Sequence, residues 1–215
     1  MDRSRLAIVI PAHNESATIG AIIREVLQYG VPIVIDDAST DQTAQIAKDF
    51  GAEVVSHQSN LGYDAALSSG FFCADGMGCD FVLTMDADGQ HNPSLLPIFI
   101  DALDEGADIV VGVRHRKQRI AEHVFALVSR LLWGIHDPLC GLKAYRIELY
   151  QSLGHFDAYN SIGTELAIYA ARQNKKIVHI PLVTTDRVDE PRFGQNFNAN
   201  MQIIKALLNA FLTKN

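Results

Sequence analysis

The chain has 215 residues, of which 48% are hydrophobic, and a formal net charge of −7. This length allows one large domain with a proper core, and an acidic balance without a basic tract argues against nucleic acid as a partner. The three cysteines fit neither a disulfide framework nor a zinc site. We recognise neither an N-terminal signal nor an apolar run long enough to span a membrane, and therefore predict a cytoplasmic protein.

Short apolar runs alternate with amphipathic segments along the first half of the chain. Strands are predicted at residues 6–10, 31–35, 53–55, 81–85 and 109–111. Helices are predicted between them, at about 19–30, 41–51, 62–74 and 93–103. This alternation predicts an α/β fold, in which a mostly parallel, Rossmann-like sheet is flanked by helices.

The pattern changes after residue 113. Residues 114–119 form the most basic stretch of the chain. Further elements are predicted as a helix at 121–133, a strand at 142–145, a helix at 164–172, a strand at 177–180 and an amphipathic terminal helix within 195–215. No repeat or linker separates them, so we predict a single domain.

Polar clusters follow each of the first five predicted strands. Ligands of such sheets bind at the carboxyl ends of the strands, so one shared edge is the predicted site. The clusters are His13-Asn14-Glu15, Asp36-Asp37, Asn60, Asp86-Ala87-Asp88 and Arg114.

Asp86 and Asp88 are the predicted metal ligands. Two carboxylates at alternate positions after a buried strand would repel one another unless a cation lay between them. Hard oxygen ligands next to a diphosphate suit Mg²⁺ or Mn²⁺, and Gln90 and His91 are further candidate ligands. The alternative interpretation is a solvated turn, which the sequence Asp-x-Asp-Gly often forms.

Other polar residues at this edge allow two interpretations each. Asp37 could accept a hydrogen bond from a nucleotide base or ribose, or it could only stabilise the following helix. Asn14 could be an N-cap, while Glu15 could contact ribose. Arg114 could clamp phosphate oxygens at two points, or both Arg114 and Arg119 could be exposed charges.

Several of these segments together carry a family resemblance over about residues 5–190. They are Ile10-Pro11-Ala12-His13-Asn14-Glu15, Ile35-Asp36-Asp37-Ala38-Ser39-Thr40-Asp41, Asn60-Leu61-Gly62, Met85-Asp86-Ala87-Asp88-Gly89-Gln90-His91 and Asp137-Pro138-Leu139-Cys140-Gly141-Leu142-Lys143. In this order they resemble the inverting glycosyltransferase family 2 with the GT-A fold. The similarity is greatest to the branch of dolichyl-phosphate mannose synthases and polyprenyl-phosphate glycosyltransferases.

The resemblance implies a role for each matching residue. It implies a nucleotide-diphosphate sugar (UDP or GDP) as donor, Mg²⁺ or Mn²⁺ as cofactor, a nucleotide-sugar-binding half at 1–113 and an acceptor half at 114–194. The nucleotide pocket would be formed by Pro11, Ala12, His13, Glu15, Ile35, Asp37, Asn60, Gly62 and Ala87. The metal would be bound by Asp86, Asp88 and Gln90. The acceptor would be held by Arg119, Lys143, Arg187 and Arg192, with Arg114 on a phosphate.

Three functional hypotheses follow from these residues. The first is transfer to a polyprenyl phosphate, which is anionic at pH 7 and needs no protein base. The second is transfer to a glycan hydroxyl, which needs a carboxylate base, either Glu165 or Asp137. The third is a non-catalytic nucleotide-sugar-binding protein, since fold does not fix function.

The terminal helix also has more than one interpretation. It could lie on a membrane surface, pack on its own domain or pair with another subunit. We therefore expect either a cytoplasmic protein or one bound peripherally to the cytoplasmic membrane face.

Overall fold

The computed structural model describes residues 2–89, 92–117, 119–182 and 196–213. Its centre is a seven-stranded sheet with the strand order β3-β2-β1-β4-β6-β5-β7. The strands are β1 (Leu6–Ala12), β2 (Val31–Asp36), β3 (Glu53–Ser56), β4 (Phe81–Thr84), β5 (Ile109–Arg114), β6 (Lys143–Arg146) and β7 (Ile177–Leu182).

Helices cover both faces of this sheet, and the predicted α/β class is confirmed. They are α1 (Ile19–Val26), α2 (Thr43–Asp49), α3 (Tyr63–Gly76), α4 (Leu96–Asp104), α5 (Ile120–Trp133), α6 (Ile147–Leu153), α7 (Glu165–Arg172) and α8 (Asn196–Leu212). The sequence did not predict α6, because seven residues are too few to show a clear helical period. None of the helices within the described ranges combines the length and apolar character needed to cross a bilayer.

Strand β6 runs antiparallel to both of its neighbours, β4 and β5. All other strand pairs are parallel. The carboxyl ends of six strands therefore meet at one edge, and β6 begins there. Its first residue, Lys143, pairs with Thr84 of β4 and Val111 of β5. The segment that precedes β6 is thus brought to the predicted site.

Strand β1 shows how the core is divided between the two faces. Ala7 and Val9 belong to a cluster that includes α3, α7 and α8. Leu6, Ile8 and Ile10 belong to the opposite cluster, with α1 and α4. All five side chains are fully buried, as expected for a parallel strand covered on both faces. The proposed division into halves at 1–113 and 114–194 stays a prediction.

The N-cap interpretation of Asn14 is wrong. Helix α1 begins four residues later than that interpretation requires, at Ile19 with Thr18 before it. Asn14 instead has a positive φ of 53°, and its side-chain oxygen accepts a hydrogen bond of 2.8 Å from the Thr40 backbone N–H. It therefore ties the loop after β1 to the loop after β2.

Gly70 permits the close approach of α3 to β1. A Cβ atom at position 70 would lie 2.2 Å from Cγ1 of Val9, whereas one at Gly76 in the same helix would meet nothing within 4 Å. We expect Gly70→Ala to lower the free energy of unfolding by about 1–3 kcal/mol through overpacking. Gly76→Ala should be neutral or stabilising by up to about 1 kcal/mol. Urea unfolding measures the change in unfolding free energy for both variants. Equal changes would contradict the close packing of Gly70 on Val9.

Candidate active site

Three separate parts of the fold hold the segment Asp86-Ala87-Asp88 in place. The hydroxyl of Tyr63, the first residue of α3, donates a 3.2 Å hydrogen bond to Asp86 Oδ1. The hydroxyl of Thr18 donates one of 2.6 Å to the Ala87 carbonyl. Gly141 packs so closely against Asp86 that an added Cβ would lie 2.0 Å from its Oδ2. The position of the Asp86 carboxylate is therefore set before any ligand binds.

The donor set at this position fits a hard divalent cation. Asp86 and Asp88 supply two carboxylates, and Asp88 is buried. Within residues 2–89, 92–117, 119–182 and 196–213, no group of three or more His, Cys, Asp or Glu side chains could enclose a metal. Mg²⁺ is typically bound by one or two carboxylates plus substrate phosphates and water, so a two-carboxylate site suits it. Gln90 and His91 lie outside the described residues.

Asp37 organises the loop that follows β3. Its carboxylate accepts hydrogen bonds of 2.8 Å from the backbone N–H groups of Leu61 and Gly62, and it lies 2.7 Å from Nδ1 of His57. Burial alone would raise the pKa of Asp37, but these hydrogen bonds outweigh it and lower the pKa. Asp37 is thus held ionised at the sheet edge, and its interactions fix the loop that leads into α3.

The remaining predicted nucleotide residues differ in how accessible they are. Ile35 is fully buried in the core, so its side chain does not line a pocket and only its backbone could meet a ligand. Glu15 and Ala12 are also buried, Pro11 is half-buried, and Asn60 is exposed. The ring Nδ1 of half-buried His13 lies 2.8 Å from the Asp37 carbonyl.

Arg114 and Asp137 form a buried, two-point ion pair. Nε and Nη2 of Arg114 donate to the two Asp137 carboxylate oxygens at 2.9 and 3.0 Å. The Arg114 backbone N–H donates to the same carboxylate at 3.0 Å. Burial would raise the pKa of Asp137, but the hydrogen bonds and charge of Arg114 hold it below its ordinary value. Asp137 is therefore ionised and tied to the end of β5.

Glu122, in the first turn of α5, links both candidate arginines. Its Oε2 lies 3.3 Å from Arg114 Nη2, and its Oε1 accepts a 3.0 Å hydrogen bond from Arg119 Nη1. Arg119 Nε is buried and has no acceptor among the residues that the structure describes. Two guanidinium groups thus lie at the N-terminal end of α5, each paired with a carboxylate.

Lys143 lies beneath the site rather than on its surface. The side chain is buried, and Nζ donates a 3.0 Å hydrogen bond to the Gly163 carbonyl. Burial lowers the pKa of Lys143. A direct contact of Lys143 with an acceptor would require that it leave this position. The two other predicted acceptor residues, Arg187 and Arg192, lie outside the described ranges.

Glu165 is buried at the start of α7 and anchors the preceding loop. Its carboxylate accepts a 2.6 Å hydrogen bond from the Ala158 backbone N–H and lies 3.0 Å from Nε2 of His155. The Glu165 side chain therefore already has two partners on one loop. These contacts give this candidate base a structural role.

Asp64 anchors the loop before α7, a role that the sequence did not reveal. It follows Tyr63, and its carboxylate accepts hydrogen bonds of 3.1 and 2.6 Å from the backbone N–H groups of Ile162 and Gly163. Burial, together with the charge of Asp157, raises its pKa to about 6. Ile162 has a φ of 58°, unusual for a β-branched residue. No local pattern joins Asp64 to a loop about a hundred residues away.

Known proteins resemble this chain along most of its length. The model for the Glycosyl transferase family 2 matches residues 7–156. The dolichyl-phosphate hexose transferase of Haloferax volcanii is 28% identical over 200 residues, covering 87% of this chain and 86% of the relative. The polyprenol monophosphomannose synthase of Mycolicibacterium smegmatis is 29% identical, covering 85% and 78%.

A solved structure agrees with the fold. Glucosyl-3-phosphoglycerate synthase from Mycobacterium tuberculosis, in complex with Mn²⁺ and UDP-glucose, superposes with a TM-score of 0.75 at 25% identity and covers all of this chain and 81% of its own. The resemblance drawn from the ordered motifs is confirmed, and the non-catalytic alternative is not supported. The chain belongs to glycosyl transferase family 2 and is a glycosyltransferase with the GT-A fold.

Proposed function

We propose that this enzyme transfers a sugar from UDP-sugar or GDP-sugar to a polyprenyl phosphate, with Mg²⁺ or Mn²⁺ as cofactor and with inversion at the anomeric carbon. The observation that carries the proposal is that both candidate bases already interact with other groups of the protein. Asp137 is paired with Arg114, and Glu165 is hydrogen-bonded to its own loop. A phosphate acceptor needs neither residue as a base.

The donor end of the proposal rests on the two aspartates. Asp86 and Asp88 would bind the metal ion, which when bound would neutralise charge on the departing nucleoside diphosphate. Tyr63 and Gly141 hold Asp86 in place for that purpose. The complex of the mycobacterial synthase with Mn²⁺ and UDP-glucose supports the use of a metal ion together with a nucleotide sugar.

The reaction itself is a single displacement. An anionic oxygen of the polyprenyl phosphate attacks the anomeric carbon, the bond from that carbon to the diphosphate oxygen breaks, and the nucleoside diphosphate leaves. No proton has to be removed from the acceptor, because its oxygen is already ionised at pH 7.

Arg114 and Arg119 are suited to the phosphate groups at the acceptor end. Asp137 and Glu122 engage Nε and Nη2 of Arg114, so Arg114 would meet a phosphate through Nη1. Arg119 immediately precedes α5 and shares Glu122 with Arg114, so its guanidinium would join that of Arg114 in binding a phosphate. The names of the haloarchaeal and mycobacterial relatives support a polyprenyl-type acceptor.

Ligand-induced stabilisation tests the donor site. In a thermal-shift screen of UDP- and GDP-sugars, the true donor at about 100 times its Kd should raise Tm by roughly 5–10 °C in the presence of Mn²⁺. EDTA or Asp86→Asn should abolish the metal-dependent part of that shift. Asp101→Asn, which changes an exposed carboxylate on α4, should leave the shift intact. If no sugar nucleotide raises Tm, the donor-site assignment is wrong.

The variant Glu165→Gln distinguishes a phosphate acceptor from a hydroxyl acceptor whose base is Glu165. The amide oxygen of glutamine can still accept from Ala158, so the fold should be kept. If the acceptor is a phosphate, kcat for transfer to a polyprenyl phosphate should stay within about threefold of wild type, because no general base is lost.

The hydroxyl-acceptor alternative predicts a different result for the same variant. Loss of a general base would lower kcat by about 10²–10⁴-fold while donor binding, measured by the thermal shift, survives. That outcome would replace the polyprenyl phosphate by a hydroxyl acceptor. The Tm of Glu165→Gln without ligand serves as the control for folding.

A further inference from the structure

The outward sides of α5 and α8 carry many apolar side chains, although surface helices normally present polar residues there. On α5 an exposed apolar ridge is formed by Ile120, Val124, Leu127 and Leu131. On α8 a second exposed ridge is formed by Met201, Ile204, Leu208 and Leu212. Exposed polar side chains, among them Arg130 and Lys205, flank these ridges. The fractional exposure reaches 81% at Ile120 and 79% at Leu212. We call these eight residues the α5–α8 face, and a patch of this kind marks a binding surface.

The two helices lie side by side and run in the same direction. Near their N-terminal ends, the Ala121 backbone N–H donates a 3.2 Å hydrogen bond to the Asn200 side chain. Near their C-terminal ends, the rings of Trp133 and Phe211 lie 5.6 Å apart. Both apolar ridges therefore start at the same end of the domain.

That shared end is the acceptor end of the active site. Arg119 immediately precedes α5 and is hydrogen-bonded to Glu122, which also contacts Arg114. The α5–α8 face thus begins next to the residues that hold the two candidate phosphate-binding arginines.

Charge distinguishes the possible occupants of this face. The exposed ionised side chains of the two helices are the basic Arg130 and Lys205. Glu122 is the single acidic residue in α5 and is buried, and α8 contains none. The chain as a whole carries a formal charge of −7. An apolar face with basic and no exposed acidic groups is therefore a local exception on an acidic protein.

We propose that the α5–α8 face docks on an anionic membrane surface. Apolar side chains would enter the boundary between headgroups and acyl chains, and Arg130 and Lys205 would meet lipid phosphates. A second copy of the chain fits less well. In a two-fold symmetric dimer the face would meet itself, which would bring basic groups together without an acidic partner.

Docking would place the acceptor end of the active site next to the bilayer surface. This link to catalysis rests on the proposed polyprenyl-phosphate acceptor, whereas membrane binding by the face does not.

Co-sedimentation of the full chain with vesicles tests the proposal. The protein should bind vesicles of phosphatidylcholine and phosphatidylglycerol, and added salt should weaken that binding. Leu127→Gln with Leu131→Gln, or Ile204→Gln with Leu208→Gln, should weaken it by about tenfold or more. Phe72→Gln replaces a side chain that is 74% exposed on α3, away from the face, and should bind like wild type. Arg130→Gln with Lys205→Gln should reduce binding to anionic vesicles and not to pure phosphatidylcholine.

Three results would overturn the proposal. One is the absence of binding to anionic vesicles. Another is that both double variants, the one on α5 and the one on α8, bind vesicles as tightly as the wild type. The third is that sedimentation velocity detects a dimer and that these double variants convert it to monomers. That result would assign the face to a second copy of the chain. Transfer to a short, water-soluble polyprenyl phosphate without vesicles separates the two proposals. If that transfer proceeds while vesicle binding fails, the docking proposal falls and the proposed function stands.

Discussion

The buried ion pair between Arg114 and Asp137 connects the two parts of this enzyme. It joins the end of β5 to the segment that precedes the antiparallel strand β6. The Asp137 side chain is almost fully buried, with 1% of its surface exposed. A charge in such a position is tolerated only when it is paired at good geometry. The pair therefore fixes where the segment that begins at Asp137 meets the sheet edge.

The consequences of this constraint extend to the proposed metal site. The segment that begins at Asp137 ends at Gly141, which packs directly on the Asp86 carboxylate and leaves no room for a Cβ atom. The Gly141 carbonyl also accepts a 2.8 Å hydrogen bond from the hydroxyl of Thr84, at the end of β4. From the opposite side, Tyr63 donates to Asp86. One carboxylate of the proposed metal site is thus positioned by parts of the chain that lie far apart in sequence.

The sequence predicted the parallel strands and their polar ends because these features are local. Apolar runs such as 31–35 and the carboxylates of Asp86 and Asp88 can be recognised within a few residues. The antiparallel insertion of β6 could not be predicted, because strand order depends on long-range pairing. For the same reason, the sequence alone neither pairs Arg114 with Asp137 nor indicates a role for Tyr63 or Asp64. The partners of these residues lie between 23 and 99 positions away in the chain.

A matched pair of variants tests whether the Arg114–Asp137 pair holds the segment before β6 at the sheet edge. Arg5 and Asp80 form a pair with the same two-point geometry at the surface, with side chains 50% and 44% exposed. Asp137→Asn should lower the free energy of unfolding in urea by about 3–5 kcal/mol, whereas Asp80→Asn should cost about 1 kcal/mol or less. Equal losses, or a stable Asp137→Asn variant, would contradict the account.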